Sequence, residues 1–144
     1  MPKAKISLLD RAKGDLKIAK LNLEHGNNDD VILDIVAYHC SQCAEKLIKY
    51  IILQEGNDYT PDHRTEMYLE DLRNDKARKL IESIAEDLDR WSTTIRYAGS
   101  IKSSKRAVEK AISVCEELLN LIDEIGKPVP VDIELPPVKS LFEG

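Results

Sequence analysis

Apolar residues recur along most of this chain at alternating steps of three and four, the spacing that lines one side of an α-helix. Four long stretches follow this pattern, and their stripes begin at Leu9, Val36, Ala77 and Val108. A shorter helix is predicted from about Thr65 to Arg73. Because no stretch shows convincing strand alternation, we predict an all-α fold, an antiparallel up-and-down bundle of four to five helices.

Residues that start and stop helices stand at the ends of the first two stripes. Gly26 ends the first helix, and Asp29 or Asp30 starts a second helix that continues to Glu55 without a glycine or proline. The apolar face of this second helix is too wide for a single neighbour. We therefore predict that it is central to the bundle or shared with a second subunit.

The third and fourth stripes flank a short loop. The third stripe, Ala77 to Ile95, predicts one continuous helix that ends beside Arg96. Ser103 or Ser104 then caps the last helix, which Gly126 ends.

The segment after Gly126 differs in composition from the rest of the chain. It is rich in proline, with apolar residues between, and we predict an extended tail. The chain is thus divided into a helical bundle over residues 1–126 and a Pro-rich tail over residues 127–144. We favour packing of the tail on its own bundle over contact with a neighbouring chain.

Composition and charge narrow the class of protein. The chain is 42% hydrophobic and 33% charged, as expected for an ordinary globular domain. It lacks an apolar run long enough to span a membrane and a secretory signal, so we predict a cytoplasmic protein without membrane contact. The net charge of −5 argues against a general nucleic-acid binder, so any anion site must be local.

Candidate chemistry concentrates in the segment TTIRYAGSIKSSKR, between the last two long helices. Cationic side chains and the free amides of a helix start can hold a phosphate, and an aromatic ring can stack on a base. The residues predicted to bind a ligand in this way are Arg96, Tyr97, Lys102, Lys105 and Arg106. For the last three, a solvated loop is the commoner explanation.

Two histidines and two cysteines have structural alternatives. His63 either serves a phosphate or a proton transfer, or caps the short helix that follows it. His39 lies deep in the second helix and is predicted to be buried and hydrogen-bonded. Cys40 and Cys43 fall on the apolar stripe in mid-helix, so we interpret them as small buried apolar residues and predict no metal site and no cofactor.

Four segments follow one another in a characteristic order: DLKIAKLNLEHG, AYHCSQCAEKLIKYIILQEG, YTPDH and IRYAGS. This order resembles the HEPN family (higher eukaryote and prokaryote nucleotide-binding domains), and the resemblance covers about residues 8–125. It implies a four-to-five-helix bundle, often dimeric, that binds nucleotides or RNA or cleaves RNA. In prokaryotes such domains occur beside minimal nucleotidyltransferases in toxin-antitoxin-like pairs.

The ribonucleases of that family carry an arginine followed four to six residues later by a histidine. Arg96 matches the arginine, but no histidine stands between Tyr97 and Lys102. RNA cleavage through the 2′-hydroxyl needs groups that accept and donate protons near neutral pH, which arginine cannot do. We therefore predict that binding is favoured over catalysis.

Three functions compete. The first is a HEPN-like module that binds a nucleotide or RNA and works, as a homodimer, with a minimal nucleotidyltransferase partner in a toxin-antitoxin-like pair. The second is a metal-independent endoribonuclease in which Arg96 works with a histidine from elsewhere, such as His63. The third is a helical scaffold for protein interactions.

The polar side of the second helix is interpreted in two ways. The resemblance makes this side, with Lys46 and Lys49, a wall of the ligand groove. From the residues alone it is a solvated face, on which Glu45 and Lys49 are spaced for an ion pair.

Overall fold

The computed structural model describes residues 8–26, 29–59, 65–98 and 103–126. Its helices are α1 (Leu8–His25), α2 (Asp30–Gln54), α3 (Thr65–Asp71), α4 (Asp75–Glu82), α5 (Ala85–Ala98) and α6 (Lys105–Ile125). The absence of strands from these ranges confirms the predicted all-α bundle. None of the described helices is both long enough and apolar enough to cross a membrane. Residues 127–144 lie outside the described residues, so the division into bundle and tail stays a prediction.

Helix α2 is the centre of the bundle. It packs most extensively against α1 and also contacts α3, α5 and α6. Val36, Leu47 and Ile51 are among its fully buried side chains, and burying each contributes about 1.5–3 kcal/mol. The first of the two predicted roles of its wide apolar face is therefore confirmed, because the face is covered within one chain.

Two hydrogen bonds fix the direction of α6 relative to α2. Near the start of both helices, the backbone amide of Ser103 donates to Asp34 Oδ1 at 3.1 Å. Near their ends, Gln54 Nε2 donates to the backbone oxygen of Ile122 at 3.3 Å. The two helices therefore run in the same direction, and the four long helices α1, α2, α5 and α6 alternate in direction along the chain, as an up-and-down bundle requires.

The turn between α1 and α2 depends on Gly26 and Asp29. A Cβ atom at Gly26 would lie 2.5 Å from Cγ2 of Ile32 and 2.7 Å from the backbone oxygen of Asn22, so a larger residue would force a shift. Asp29 Oδ1 accepts hydrogen bonds from the backbone amides of Val31 and Ile32 at 2.8 and 3.2 Å. The predicted stop and cap are both confirmed.

The third apolar stripe forms two helices, α4 and α5, because the helical hydrogen bonding is interrupted at Ser83 and Ile84. Ser83 Oγ donates to the backbone oxygen of Leu80 at 2.6 Å, and the amide of Ile84 donates to Ile81, three residues back, at 3.0 Å. A hydroxyl bound to a backbone carbonyl and a tightened last turn both favour a helix end. The prediction of one continuous helix is wrong, although its stripe stays buried across the break.

Candidate functional site

The candidate site lies where α5 gives way to α6. Arg96 and Tyr97 stand in the last turn of α5, and Lys105 and Arg106 stand in the first turn of α6. The fold thus brings these two predicted pairs to the ends of two helices that a short segment joins.

Part of the predicted site lies outside the described residues. Lys102 and His63 belong to that part, and so do the side chains of Arg96 and Tyr97. Their roles stay predictions.

The start of α6 is anchored to α2. Asp34, which accepts the hydrogen bond from the amide of Ser103, is 7% exposed, and Ser103 is 5% exposed. Ser104 Oγ then accepts from the amide of Ala107 at 3.1 Å, which confirms the predicted cap of α6. A buried carboxylate of α2 therefore sets where the segment after Arg96 rejoins the bundle.

The first turn of α6 presents local positive charge. Lys105 and Arg106 are exposed there, beside backbone amides that carry the positive end of the helix dipole. The hydroxyl of Ser103 is buried and makes no hydrogen bond within the part of the chain that the structure describes. Such a helix start can hold a phosphate even on a chain whose net charge is −5.

A line of polar residues runs along α2 away from this end. Asp34, Ser41 and Glu45 are spaced by seven and four residues, which places them on one side of the helix. Ser41 and Glu45 line a small open cavity of about 10 Å³ together with Thr65 of α3 and Ser92 of α5. We call this contact of α2 with α3 and α5 the polar seam; its polar residues are Asp34, Ser41, Glu45, Lys49, Thr65, Asp89 and Ser92.

The cavity is close to the predicted site along α5. Arg96 follows Ser92 by four residues, a rise of about 6 Å. The cavity therefore lies about one helical turn from the position of Arg96.

The start of α3 is also anchored to α5. Asp89 Oδ1 accepts hydrogen bonds from the backbone amide and Oγ1 of Thr65, at 2.8 and 2.6 Å. His63 precedes Thr65 by two residues, and Arg96 follows Asp89 by seven, a rise of about 10 Å. The segment that carries His63 is therefore attached about two turns of α5 from Arg96.

Lys49 is buried in the polar seam. Its side chain is 9% exposed, and Nζ lies 3.2 Å from Glu45 Oε2. The same ammonium group lies 5.1 and 5.7 Å from the ring centroids of Tyr59 and Tyr68. Burial, with the nearby carboxylates of Glu45 and Asp58, raises the pKa of Tyr59. The interpretation of this side of α2 as a solvated face is therefore wrong at Lys49, although the predicted ion pair with Glu45 is confirmed.

Lys46 and His39 contact α1 instead. Lys46 Nζ lies 2.6 Å from Asp15 Oδ2, and His39 Nδ1 lies 3.1 Å from Asp15 Oδ1. The predicted hydrogen bond of His39 is confirmed, although its side chain is 24% exposed rather than fully buried. Because these contacts are to α1, His39 is directed away from the polar seam, where α2 meets α5.

The three cysteines belong to the core. All are buried and free, and burial raises the pKa of the Cys40 thiol to about 12. A hydrogen bond with Cys43, together with burial, raises the pKa of Cys115. Protonated, buried thiols are unreactive, which confirms their interpretation as small apolar residues. In the described ranges, no group of three or more His, Cys, Asp or Glu side chains could hold a metal ion.

Comparison with known families agrees with this arrangement of helices. A family model of the HEPN domain matches residues 7–125. The chain belongs to the HEPN family. The resemblance of the four sequence segments is thereby confirmed over nearly the same range. No curated protein and no solved structure matched this HEPN chain.

Several residues that shape the HEPN site were not predicted from the sequence. The spacing of Asp34, Ser41 and Glu45 is a helical signal that could have identified the polar line on α2. No local signal pairs Asp34 with Ser103, or Asp89 with Thr65, because these partners are 69 and 24 residues apart. Such pairs come from the packing of distant segments.

Proposed function

We propose that this HEPN chain binds a nucleotide or the phosphate backbone of RNA at the end of the bundle where α5 passes to α6. The observation that carries the proposal is the anchored start of α6, with exposed Lys105 and Arg106 directly after the segment of Arg96. A fixed helix start and two cations form a phosphate site without metal.

Each remaining predicted residue has a role in this proposal that fits its chemistry. Arg96 supplies a forked guanidinium group, which binds a phosphate through two parallel hydrogen bonds. Tyr97 stacks on a base, and Lys102 adds positive charge to the joining segment. The net charge of −5 confines binding to this local surface.

Lys46 and Lys49 take structural roles in the proposal. Lys46 is paired with Asp15, and Lys49 with Glu45, so neither ammonium group is available without breaking an ion pair. The pair of Lys49 lies in the polar seam and holds Tyr59 beside α2, which supports the seam next to the ligand site.

The partners in the proposal are a minimal nucleotidyltransferase and a second copy of the chain, in a cytoplasmic toxin-antitoxin-like pair. These partners rest only on what the HEPN resemblance of the four sequence segments implies. The wide apolar face of α2 does not add support for the homodimer, since that face is covered within one chain.

Equilibrium binding of a fluorescein-labelled single-stranded RNA, and separately of ATP, tests the proposal on the full chain. Arg96→Ala is compared with Arg90→Ala, which removes an exposed arginine of the same helix that pairs with Asp87. We expect Arg96→Ala to weaken RNA binding about tenfold or more and to lower the salt slope by about 1. Arg90→Ala should bind like the wild type, and equal binding by all three proteins would contradict the proposal.

A cleavage assay on the same RNA, in the presence of a chelator, tests the other two functions, the endoribonuclease and the interaction scaffold. Cleavage by the wild type that is lost in both Arg96→Ala and His63→Ala would establish a metal-independent endoribonuclease in place of a binding module. A wild-type chain that neither binds nor cleaves, while remaining folded, would leave the helical interaction scaffold.

A further inference from the structure

An exposed apolar patch lies on the α1–α2 pair, near the turn that joins the two helices. Among the described residues, the exposed large apolar side chains are Ile18, Leu21, Val31 and Ile35, with exposed fractions of 42%, 47%, 63% and 40%. α1 and α2 are antiparallel, so the second half of α1 and the first half of α2 are at the same end of the bundle. We call these four residues the hairpin patch.

Gly14 extends the hairpin patch along α1. It precedes Ile18 by four residues and Leu21 by seven, which places the three on one side of the helix. A Cβ atom at Gly14 would meet nothing within 4 Å, so no described neighbour requires a glycine. Glycine inside a helix costs about 1 kcal/mol relative to alanine. Without a Cβ atom on this exposed side, another segment can approach the backbone of α1 closely.

We propose that the C-terminal tail of the same chain, residues 127–144, covers the hairpin patch. The proposal does not depend on nucleotide or RNA binding. The tail starts at the opposite end of α2, because Ile122, near the end of α6, is hydrogen-bonded to Gln54. From Gln54 to Ile35 is about 28 Å along α2, whereas the 16 residues from Gly126 to Phe142 span up to about 50 Å. The end of the tail can therefore reach the patch.

The tail is also rich in apolar residues, which can pack on the exposed apolar side chains of the hairpin patch. Its apolar residues are Val129, Val131, Ile133, Leu135, Val138, Leu141 and Phe142. Burying such side chains against an exposed apolar surface stabilises both by roughly 25 cal/mol per Å². This gain opposes the entropy lost when an extended segment is ordered.

Charge favours the tail over a second copy of the folded bundle. The exposed basic residues of α1 include Arg11, Lys13 and Lys17, whereas Lys20 is paired with Glu116 of α6. The tail carries three acidic residues, Asp132, Glu134 and Glu143, and two basic residues, Lys127 and Lys139, so its net charge is opposite in sign to these α1 side chains. A symmetric pairing of two α1 helices would instead bring like charges together.

The test uses Phe142, the single phenylalanine of the chain. In full-length protein with a protonated Phe ring and labelled Ile, Leu and Val methyl groups, we expect nuclear Overhauser effects between the Phe142 ring and methyl groups of the hairpin patch. Ile35→Asp should abolish the nuclear Overhauser effects between the Phe142 ring and the methyl groups of Ile18, Leu21 and Val31. Ser113→Asp, on the exposed side of α6, is the matched control and should leave them unchanged.

A mixed sample distinguishes the occupants of the patch. One chain carries the Phe label and the other the methyl labels, so contacts within a chain are silent. Contacts seen in the mixed sample would show that the tail covers a second copy, and would overturn the proposal. Contacts confined to other methyl groups, or a Phe142 ring without contacts, would overturn it as well.

Discussion

Helix α2 has two contrasting sides. Towards α6 it forms what we call the apolar seam; its residues include Cys40 and Cys43 of α2 and Val108, Ala111, Cys115, Leu118 and Ile122 of α6. Towards α3 and α5 it forms the polar seam, where Asp34, Ser41 and Lys49 are buried polar residues. One helix therefore serves as a hydrophobic core element on one side and as a support for loops on the other.

The contrast indicates how stability and function divide in this fold. Apolar burial is non-directional and supplies most of the folding free energy. Buried polar groups add little net stability, but each must meet its partner, so they favour one arrangement of the segments that hold them. The polar seam accordingly anchors Ser103 and Thr65, the described residues that flank the predicted ligand-binding segments.

Leu118→Ala tests the apolar seam and has the largest expected effect. Leu118 is fully buried, and removing a buried leucine side chain leaves a cavity that costs about 2–5 kcal/mol of unfolding free energy. Urea unfolding followed by the fluorescence of Trp91, the single and fully buried tryptophan, measures it. Glu117→Ala, exposed on the same helix, should change stability by at most about 0.5 kcal/mol. Equal effects of the two would contradict an apolar seam that dominates stability.

Lys49→Met tests the polar seam. It removes the ammonium group that pairs with the largely buried carboxylate of Glu45, and we expect a loss of about 1–3 kcal/mol in the same unfolding assay. Lys46→Met is the control. In this variant Asp15 keeps His39 as a partner, so the loss of stability should be smaller than in Lys49→Met.

The double substitution Glu45→Leu with Lys49→Met separates pairing from burial. It should recover part of the stability lost by Lys49→Met, since it replaces both charged members of the pair with apolar residues. A double variant no more stable than Lys49→Met alone would argue against this account.

The apolar seam was largely predictable from the sequence, whereas the polar seam was not. Repeats of three and four residues identified the stripe from Val108 to Ile122, and Ser104 and Gly126 marked the ends of its helix. The same repeats failed at Ser83, because the apolar stripe continues across the break between α4 and α5.

The position of the candidate site along the chain could be predicted from the sequence, but the side-chain contacts around it could not. Arg96 and Arg106 were identified from residue type and family resemblance. The burial of Lys49 against Tyr59 and Tyr68 depends on how a loop folds back onto α2, which residue spacing does not report. The direction of His39 towards α1 likewise depends on packing between helices.

The pH dependence of stability tests the burial of thiols in the apolar seam. The pKa of Cys40 is raised to about 12 in the folded chain, so the folded state holds this proton more tightly than the unfolded state. The stabilisation is complete below the ordinary thiol pKa and is lost as the pH rises from about 9 towards 12, at about 1.4 kcal/mol per pH unit. Urea unfolding at pH 8 and pH 10 should show a decline that Cys40→Ala reduces; an unchanged decline would contradict the assignment.

Ser104→Ala has the smallest expected effect. It tests the start of α6, where the apolar seam begins and where Ser103 is bound to Asp34 of the polar seam. Loss of the cap on the amide of Ala107 should cost about 1 kcal/mol of unfolding free energy. Ser113→Ala, on the exposed side of α6, is the control and should change stability by less than about 0.5 kcal/mol. Because Ser104 caps the helix start that the proposed phosphate site uses, the variant should also weaken RNA binding. A stability loss with unchanged RNA binding would separate the anchoring of α6 from ligand recognition.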